Sequence, residues 1–288
     1  MTTGEFYNDF KKKLKTIYED REAENISDWV FENVTGLKKW QRRNNQNALS
    51  DSQKNLLQKY LQELLQSKPV QYILNEAWFY KMKFFVNEAV LIPRPETEEL
   101  VSWIVNDVRS TKHDVPSEER RILDVGTGSG CIAISIKKEL LESNVTALDV
   151  SEQALIIAKK NADNLGTHIR FIKNNFLNEG TWHQLGDYDI LVSNPPYIPG
   201  KEKERLSKNV TKFEPDIALF VPNNDPFIFY NKIAGFALTH LKMPGKIFVE
   251  IHENYAGEVH KIFTSYDFKV EIKKDIYGKE RMIKAYRE

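Results

Sequence analysis

The pattern of apolar positions divides the chain into a helical N-terminal part and a longer part in which strands and helices alternate. Over the first 75 residues, apolar side chains recur every three or four positions, which is the spacing of a helix with one buried face. This spacing predicts helices around Phe6–Ile17, Ile26–Val34 and Leu56–Leu65. Ser50 and Gln53 are spaced as a capping box ahead of the third helix. Residues 1–75 are therefore predicted to form a small helical domain.

The next segment, residues 76–93, changes to a strand-like pattern. Trp78–Tyr80 and Phe84–Val86 are short aromatic runs separated by three residues, which is typical of a β-hairpin. A proline-rich stretch follows and ends the hairpin segment. We interpret the hairpin as a linker, so that residues 94–288 form a second, larger domain.

Strand and helix patterns alternate through the second domain. Candidate strands cover residues 121–125, 145–150, 169–173, 188–193, 246–251, 268–276 and 281–286. Candidate helices lie near residues 131–141, 152–165, 226–242 and 254–265. This alternation predicts an α/β fold with a mostly parallel sheet and helices on both faces, in which the last strand is an antiparallel partner. The polar segment 113–119 is predicted to be a loop.

Composition agrees with a two-domain globular protein and argues against several functions. The chain has 288 residues, 41% of them hydrophobic, with 41 basic and 41 acidic side chains. Zero net charge disfavours stable nucleic-acid binding, which usually requires a basic surplus. One cysteine, Cys131, permits neither an internal disulfide nor a cysteine-based zinc site, and the histidines show no ligand spacing, so no metal is expected. No signal-peptide or membrane-spanning pattern is present, which predicts a cytoplasmic protein without membrane contact.

A glycine-rich segment lies where the first strand of the second domain gives way to a helix. It contains Asp124, Gly126, Thr127, Gly128, Ser129 and Gly130. The glycines permit a tight turn and a close approach of the backbone to a ligand at the carboxyl end of the strand. The spacing G-x-G-x-G, preceded by an acid, differs from the G-x-G-x-x-G of nicotinamide-binding proteins. A carboxylate is compatible with a positively charged sulfonium, so this segment favours S-adenosylmethionine over a dinucleotide.

Two further positions fit an adenosine-containing cofactor. Asp149 ends the second strand, where a carboxylate can accept hydrogen bonds from both ribose hydroxyls. Asn175 and Phe176 follow the third strand, where an amide can bond the adenine amino group and a ring can pack on the base. The alternatives are a tight turn without a ligand and an ordinary core role for Phe176.

A segment at the end of the fourth strand has the chemistry of a methyl-acceptor site. It reads Ser193, Asn194, Pro195, Pro196 and Tyr197. An amide or aromatic amine nitrogen is a poor nucleophile because its lone pair is delocalised. The Asn194 side-chain carbonyl and the Pro195 backbone carbonyl can hold both N–H bonds of such a planar group and raise its electron density. The prolines stiffen the loop, and Tyr197 can stack on the flat group.

Together these motifs resemble the HemK/PrmC family of protein-(glutamine) methyltransferases. The resemblance covers the chain from about Pro69 and rests on Leu91–Glu98, Asp124–Gly130, Asp149, Ser193–Pro199 and Phe213–Pro215. It implies a Rossmann-like class I methyltransferase sheet and a substrate-recognition role for the N-terminal helices. It implies methyl transfer from S-adenosylmethionine to the glutamine of the Gly-Gly-Gln motif in peptide chain release factors, with S-adenosylhomocysteine as product. A monomer is expected.

The resemblance also implies roles for individual residues. Gly126 to Gly130, Asp149, Phe176 and Asn194 would contact the cofactor, and Asn194 to Tyr197 would hold the glutamine. The family usually has an acid where this chain has Asn175, whose amide oxygen still accepts a hydrogen bond. Arg94 and Glu96 lie in a loop near the family's active site, with a loop ion pair or substrate contact as alternative roles.

Other functions remain compatible with the same motifs. A methyltransferase acting on a ribosomal-protein glutamine would share the catalytic loop. An adenine-specific DNA methyltransferase would also use Asn-Pro-Pro-Tyr, although the zero net charge disfavours it. A non-catalytic binding module would not require the complete set of glycines together with Asp149 and Asn194.

Overall fold

The computed structural model describes residues 2–44, 48–110 and 120–287. The loop predicted at residues 113–119 lies outside this range. The chain divides into two compact units, one formed by Met1–Glu76 with Ser207–Phe213 and the other by Ala77–Leu206 with Glu214–Glu288.

The first unit is helical. Its helices are α1 (Thr3–Leu14), α2 (Asp20–Thr35), α3 (Lys39–Asn44), α4 (Asp51–Leu65), α5 (Val70–Leu74) and the later helix Lys208–Phe213, numbered α9. Apolar side chains from α1, α2, α4 and α5 meet in one core. The predicted capping box is present, because Ser50 accepts from the Gln53 amide and the Gln53 side chain accepts from the Ser50 amide. The short helices α3, α5 and α9 were not predicted.

A hairpin opens the second unit. Its strands are β1 (Ala77–Phe79) and β2 (Met82–Phe84), which pair antiparallel. The second strand therefore begins two residues before the predicted Phe84–Val86. The reason is a two-residue turn at Tyr80 and Lys81, both of which have positive φ. The twist of the strands favours a turn of this type, but glycine or asparagine usually occupies its positions. Beyond the strand, the Phe85 backbone bonds to the Asn161 side chain instead of a ladder.

The strands of the main sheet follow closely the predicted order. They are β3 (Arg121–Val125), β4 (Asn144–Asp149), β5 (Arg170–Lys173), β6 (Tyr188–Ser193), β9 (Leu241–Glu250), β10 (Lys269–Lys274) and β11 (Glu280–Arg287). A small separate sheet pairs β7 (Ile198–Pro199) with β8 (Phe220–Val221). The helices of this unit are α6 (Pro95–Ser110), α7 (Cys131–Glu139), α8 (Glu152–Asn164), α10 (Asp216–Leu219), α11 (Ile228–His240) and α12 (Ala256–Ser265).

The order of strands sets the position of the site. The seven-stranded sheet runs β10-β11-β9-β6-β3-β4-β5, with β11 antiparallel to both neighbours and the other pairs parallel. The chain moves outward from β3 through β4 to β5 and then returns to the other side of β3 as β6. Ligands of open parallel sheets bind where the strand order reverses in this way, beyond the carboxyl ends of the strands. The reversal therefore places the ends of β3 and β6 beside each other.

Two apolar cores cover the sheet. Side chains of α6 and α7 pack on one face, and side chains of α11 and α12 pack on the other. Residues of the central strands alternate between the two cores, as shown by Ile190 and Leu191 of β6. The mixed α/β prediction with helices on both faces is confirmed. The start of β9 differs from the prediction: this strand begins at Leu241, five residues before the predicted Lys246.

Candidate functional site

The carboxyl ends of the central strands are joined directly to one another. The Ser193 hydroxyl, at the end of β6, donates to the Val125 carbonyl at the end of β3 over 2.7 Å. The Gly126 and Thr127 amides both donate to the Leu148 carbonyl of β4 at 2.9 Å. The glycine segment and the Asn-Pro-Pro-Tyr segment are therefore neighbours at one edge of the sheet, as the parallel-strand pattern predicts.

A cavity of about 330 Å³ opens at this edge. This volume lies in the range of small-molecule sites. Ten of the residues singled out in the sequence lie in its wall, namely Arg94, Gly126, Thr127, Gly128, Ser129, Asp149, Asn175, Phe176, Asn194 and Pro196. Five others do not, namely Glu96, Asp124, Gly130, Pro195 and Tyr197. Most of the remaining wall is apolar and includes Leu148, Val150, Leu177 and Ile217.

Two glycines show why the loop needs this residue type. Gly128 has a φ of +55° and open space where a Cβ would stand, which leaves the backbone exposed to the cavity. Gly130 has a φ of +81°, and a Cβ there would lie 3.1 Å from the Ala158 Cβ of α8. The first glycine therefore permits close approach of a ligand, whereas the last permits close packing of the loop on α8.

Asp149 connects the loop to the end of β4. One carboxylate oxygen accepts from the Gly128 amide and the other from the Ser151 amide, each at 2.9 Å. Burial raises the pKa of this carboxyl above its ordinary value, and these amide donors oppose the change. A carboxylate oxygen has more than one lone pair, so Asp149 can still accept from a ligand hydroxyl.

The wall fits an adenosine-containing sulfonium cofactor. Asp149 offers acceptors for ribose hydroxyls, the loop glycines leave space for backbone approach, and the apolar side chains suit a purine. Phe176 is also part of the core, with its ring 5.7 Å from Trp182 and 5.2 Å from Phe236 between centroids. The core role of Phe176 is therefore present in the structure, and the same residue also lines the cavity. Asn174, which sequence reasoning missed, lies in the wall beside Asn175.

Asp124 departs from the expectation that it contacts the cofactor. Its side chain is completely buried beneath the glycine loop, where one carboxylate oxygen accepts from the Thr127 hydroxyl at 2.6 Å. The cause is strand alternation, because Leu123 and Val125 face one core and Asp124 must face the other way. Asp124 therefore supports the loop from below instead of contacting a ligand. Burial raises the pKa of this carboxyl to about 7.

This shifted pKa predicts a pH-dependent stability. The protonated form of Asp124 stabilises the fold at low pH, and that contribution is lost as the pH rises from the ordinary pKa of 3.8 toward about 7. Relative to Asp124→Asn, the wild-type protein should lose about 2 kcal/mol of unfolding free energy between pH 5 and pH 7. Urea denaturation of both proteins measures this difference. A carbon-13 NMR titration of Asp124 with a midpoint near 4 would contradict the prediction.

A buried chain of hydrogen bonds begins at Asn194 in the cavity wall. The Asn194 side-chain NH₂ donates to the Thr97 hydroxyl oxygen at 3.1 Å, and that hydroxyl donates to Glu250 at 2.6 Å. The Tyr197 hydroxyl donates to the other Glu250 oxygen at 3.1 Å. Thr97 and Glu250 are each only 2% exposed. Tyr197 packs against the core with its hydroxyl bound, so in this structure its ring does not form part of the cavity wall.

Sequence reasoning did not single out Glu250, and it gave Thr97 no role at the site. Glu250 ends β9, which lies next to β6, and this neighbour relation brings it to Tyr197. Burial raises the pKa of the Glu250 carboxyl, while the two hydroxyl donors and the Arg281 charge act in the opposite direction. A glutamate at the end of an apolar strand was the one signal available, because a buried acid requires partners.

The ion-pair partner of Arg94 is Glu214, not Glu96, which is closer in the sequence. Its guanidinium forms an ion pair with Glu214 at 2.6 Å, and Glu214 also accepts from the Ile92 amide. Glu214 is buried, whereas Arg94 is one-third exposed and reaches the cavity wall. The ion pair therefore holds the proline-rich segment against residue 214, and it leaves part of Arg94 available at the cavity.

Comparisons with known proteins agree with this geometry. Residues 5–74 match the family described as PrmC N-terminal domain, and residues 108–212 match the family described as Methyltransferase small domain. A relative from Flavobacterium psychrophilum, named release factor glutamine methyltransferase, is 40% identical over 99% of each chain. A relative of the same name from Bacteroides thetaiotaomicron is 41% identical over 83% of each chain. The chain belongs to the release factor glutamine methyltransferase family.

Membership of this family confirms the resemblance read from the motifs, and with it the prediction of a methyltransferase. A solved methyltransferase from Pyrococcus furiosus has the same fold, with a TM-score of 0.51 and 16% identity over 82% of this chain and 98% of that one. Within residues 2–44, 48–110 and 120–287, no helix combines the length and the apolar character required to cross a bilayer.

Proposed function

We propose that the protein transfers a methyl group from S-adenosylmethionine to the side-chain amide nitrogen of the glutamine in the Gly-Gly-Gln motif of peptide chain release factors. S-adenosylhomocysteine would be the second product. Two relatives that align with most of the chain carry the name release factor glutamine methyltransferase. The cavity at the ends of β3, β4 and β6 supports this assignment through its chemistry.

The observation that carries the proposal is the orientation of the Asn194 side chain. Its NH₂ group is used by Thr97, and among the described residues its carbonyl oxygen has no hydrogen-bond donor. Asn194 lies in the cavity wall, so this oxygen is available to accept from an incoming NH₂ group. A site for methylating a planar amide requires such an acceptor.

Several wall residues are proposed to hold the cofactor. Asp149 would bind the ribose hydroxyls, and the Gly126–Ser129 backbone would lie against the amino-acid end. Asn175 and Phe176 would contact the adenine, through an amide oxygen and a ring edge. S-adenosylmethionine supplies a methyl group on an electrophilic sulfonium when it is bound.

The chain's own residues would act by positioning. Asn194 would accept one N–H bond of the substrate amide, and the Pro195 carbonyl would accept the other. Withdrawal of both protons toward acceptors raises electron density on the nitrogen as its C–N bond forms and the C–S bond breaks. Pro196 would restrict the loop, and Tyr197 would support it through Glu250. The nitrogen loses one proton to solvent, which balances the transfer.

The remaining assignments follow from the substrate. The first unit matches the PrmC N-terminal domain, which supports a role for residues 1–75 in recognising the release factor. Arg94 would contact the substrate with the part of its side chain that Glu214 leaves free. A monomer remains the expected active unit. A release-factor substrate would require a cytoplasmic location.

A labelling experiment tests the proposal. The protein is incubated with methyl-labelled S-adenosylmethionine and, separately, with a release factor, a ribosomal-protein substrate and duplex DNA. Label on the release factor is expected. Replacing the glutamine of its Gly-Gly-Gln motif with alanine should abolish this labelling. Label on the ribosomal protein or DNA without label on the release factor would contradict the proposal.

A further inference from the structure

A buried carboxylate outside the cavity wall connects two segments of the site. Glu250 ends β9, and its two oxygens accept from the Thr97 hydroxyl at 2.6 Å and from the Tyr197 hydroxyl at 3.1 Å. Thr97 lies in the first turn of α6, whereas Tyr197 follows β6. The backbone carbonyl of Glu250 also accepts from the Tyr230 hydroxyl of α11 at 3.1 Å. Glu250 is therefore held by hydroxyl donors from separate elements.

We propose that Glu250 and Thr97 are positioning residues that orient the Asn194 side-chain amide with its carbonyl oxygen toward the substrate. This inference rests on the proposed function, since it assigns a role within the same methyl-acceptor site. Neither residue needs to touch the substrate amide, because both would act through Asn194.

The hydrogen-bond donors and acceptors around Thr97 determine the orientation of the Asn194 amide. A hydroxyl has one proton, and the Thr97 proton is directed to Glu250. Both Glu250 oxygens accept hydroxyl protons, so the Thr97 proton is used by Glu250 and is not available to another acceptor. The Thr97 oxygen then offers only lone pairs to Asn194. The Asn194 atom that faces Thr97 must therefore be the nitrogen, which leaves the oxygen on the other side.

The opposite orientation of the amide would be unfavourable. It would place the Asn194 oxygen against the Thr97 oxygen with no proton between them. It would also direct NH₂ toward the incoming NH₂ group of the substrate, where two donors cannot bond. Burial makes an unmatched polar contact of this kind cost about 1–3 kcal/mol. Glu250 thus selects the amide orientation that the chemistry requires, through the single proton of Thr97.

Removing the hydroxyl is the first test. Thr97→Val keeps the shape of the side chain but leaves nothing to select the Asn194 orientation. We expect kcat for release-factor methylation to fall by about 10- to 100-fold, because misplacement of one acceptor has effects of this size. The Kd for S-adenosylmethionine, measured by calorimetry, should change by less than about threefold. Thr97→Ser keeps the proton and should recover most of the lost turnover.

Changing the acceptor is the second test. Glu250→Gln keeps the shape but replaces one accepting oxygen with a donating NH₂ group. Either Thr97 or Tyr197 must then reverse its hydroxyl, and reversal at Thr97 would direct its proton toward Asn194. We expect a fall in kcat of about 10-fold or more, again with little change in cofactor Kd. Tyr197→Phe removes only the other hydroxyl and should have a smaller effect than Thr97→Val.

A matched control separates positioning from general loss of stability. Thr146→Val removes a hydroxyl from a buried threonine of β4 that lies outside the cavity wall, and it should leave kcat unchanged. If Thr97→Val does not fold, Thr97→Ala lacks the same hydroxyl in a smaller side chain. Retention of wild-type kcat in the folded Thr97 variants that lack the hydroxyl and in Glu250→Gln would overturn the inference. Failure of the wild-type protein to methylate the release factor would instead overturn the proposed function.

Discussion

Replacement of Asn194 by alanine is expected to lower kcat for release-factor methylation by about 100- to 1,000-fold, with a Kd for S-adenosylmethionine within about threefold of wild type. The truncation removes an acceptor that is held in place before the reaction, by the bond from its NH₂ group to Thr97. Such an acceptor gains most of its value as charge develops on the substrate nitrogen, so its loss affects turnover more than binding. Single-turnover kinetics and calorimetry measure the two quantities separately.

A second asparagine in the cavity wall provides the matched control. Asn175 follows β5, and its side-chain oxygen accepts from the Leu177 amide at 3.2 Å. Asn175→Ala is the same truncation on the proposed adenine side, so it should weaken cofactor binding and leave turnover at saturating cofactor within about threefold. Equal losses of turnover and cofactor affinity in Asn194→Ala would contradict the acceptor role.

The sequence was sufficient to predict which segments of the chain meet at the site. Parallel strands bring their carboxyl ends to one edge, so residues that follow β3, β4 and β6 had to converge there. Gly128, Asp149 and Asn194 all satisfy this rule, and all lie in the cavity wall. Their clustering follows from the alternation of strands with helices along the chain and from the order of the strands, without knowledge of any side-chain contact.

The supporting contacts could not be predicted in the same way. The bond from Thr97 to Glu250 joins residues 153 positions apart and depends on β9 lying beside β6, which residue types do not specify. Asn161 is a similar case, because its amide bonds both the Phe85 backbone and the Ser129 carbonyl. In a helical pattern a single asparagine is usually a surface residue. Buried polar partners of this kind become visible only when the packing is known.

Local chemistry explains the smaller differences. Tyr80 and Lys81 adopt positive φ without the glycine or asparagine that normally marks a hairpin turn, so the predicted second strand was placed too late. Asp124 reads as a ligand-facing acid in the glycine motif, yet alternation along β3 directs it into the interior. In both cases the residue type suggested one environment, and the backbone geometry of the strand required another.

Replacement of Asp149 by alanine is expected to raise the Kd for S-adenosylmethionine by about 10- to 100-fold, because hydrogen bonds to a charged acceptor contribute about 1.5–3 kcal/mol each. Turnover at saturating cofactor should fall by less than about fivefold, since Asp149 lies away from Asn194 at the end of a different strand and has no proposed contact with the reacting nitrogen. Calorimetric titration with S-adenosylhomocysteine measures the affinity without turnover. Glu152→Ala removes a nearby exposed acid that pairs with Lys173, and it should leave the Kd unchanged.

The same variant separates two roles that Asp149 combines. Its carboxylate accepts from the Gly128 and Ser151 amides, so truncation loosens the glycine loop as well as removing ribose acceptors. A cofactor product that lacks the ribose 2′-hydroxyl distinguishes these effects. If Asp149 binds that hydroxyl, wild type should prefer the intact ligand by roughly 10-fold and Asp149→Ala should lose the preference. If the preference is the same in both proteins, Asp149 acts only by holding Gly128, and the ribose assignment is wrong.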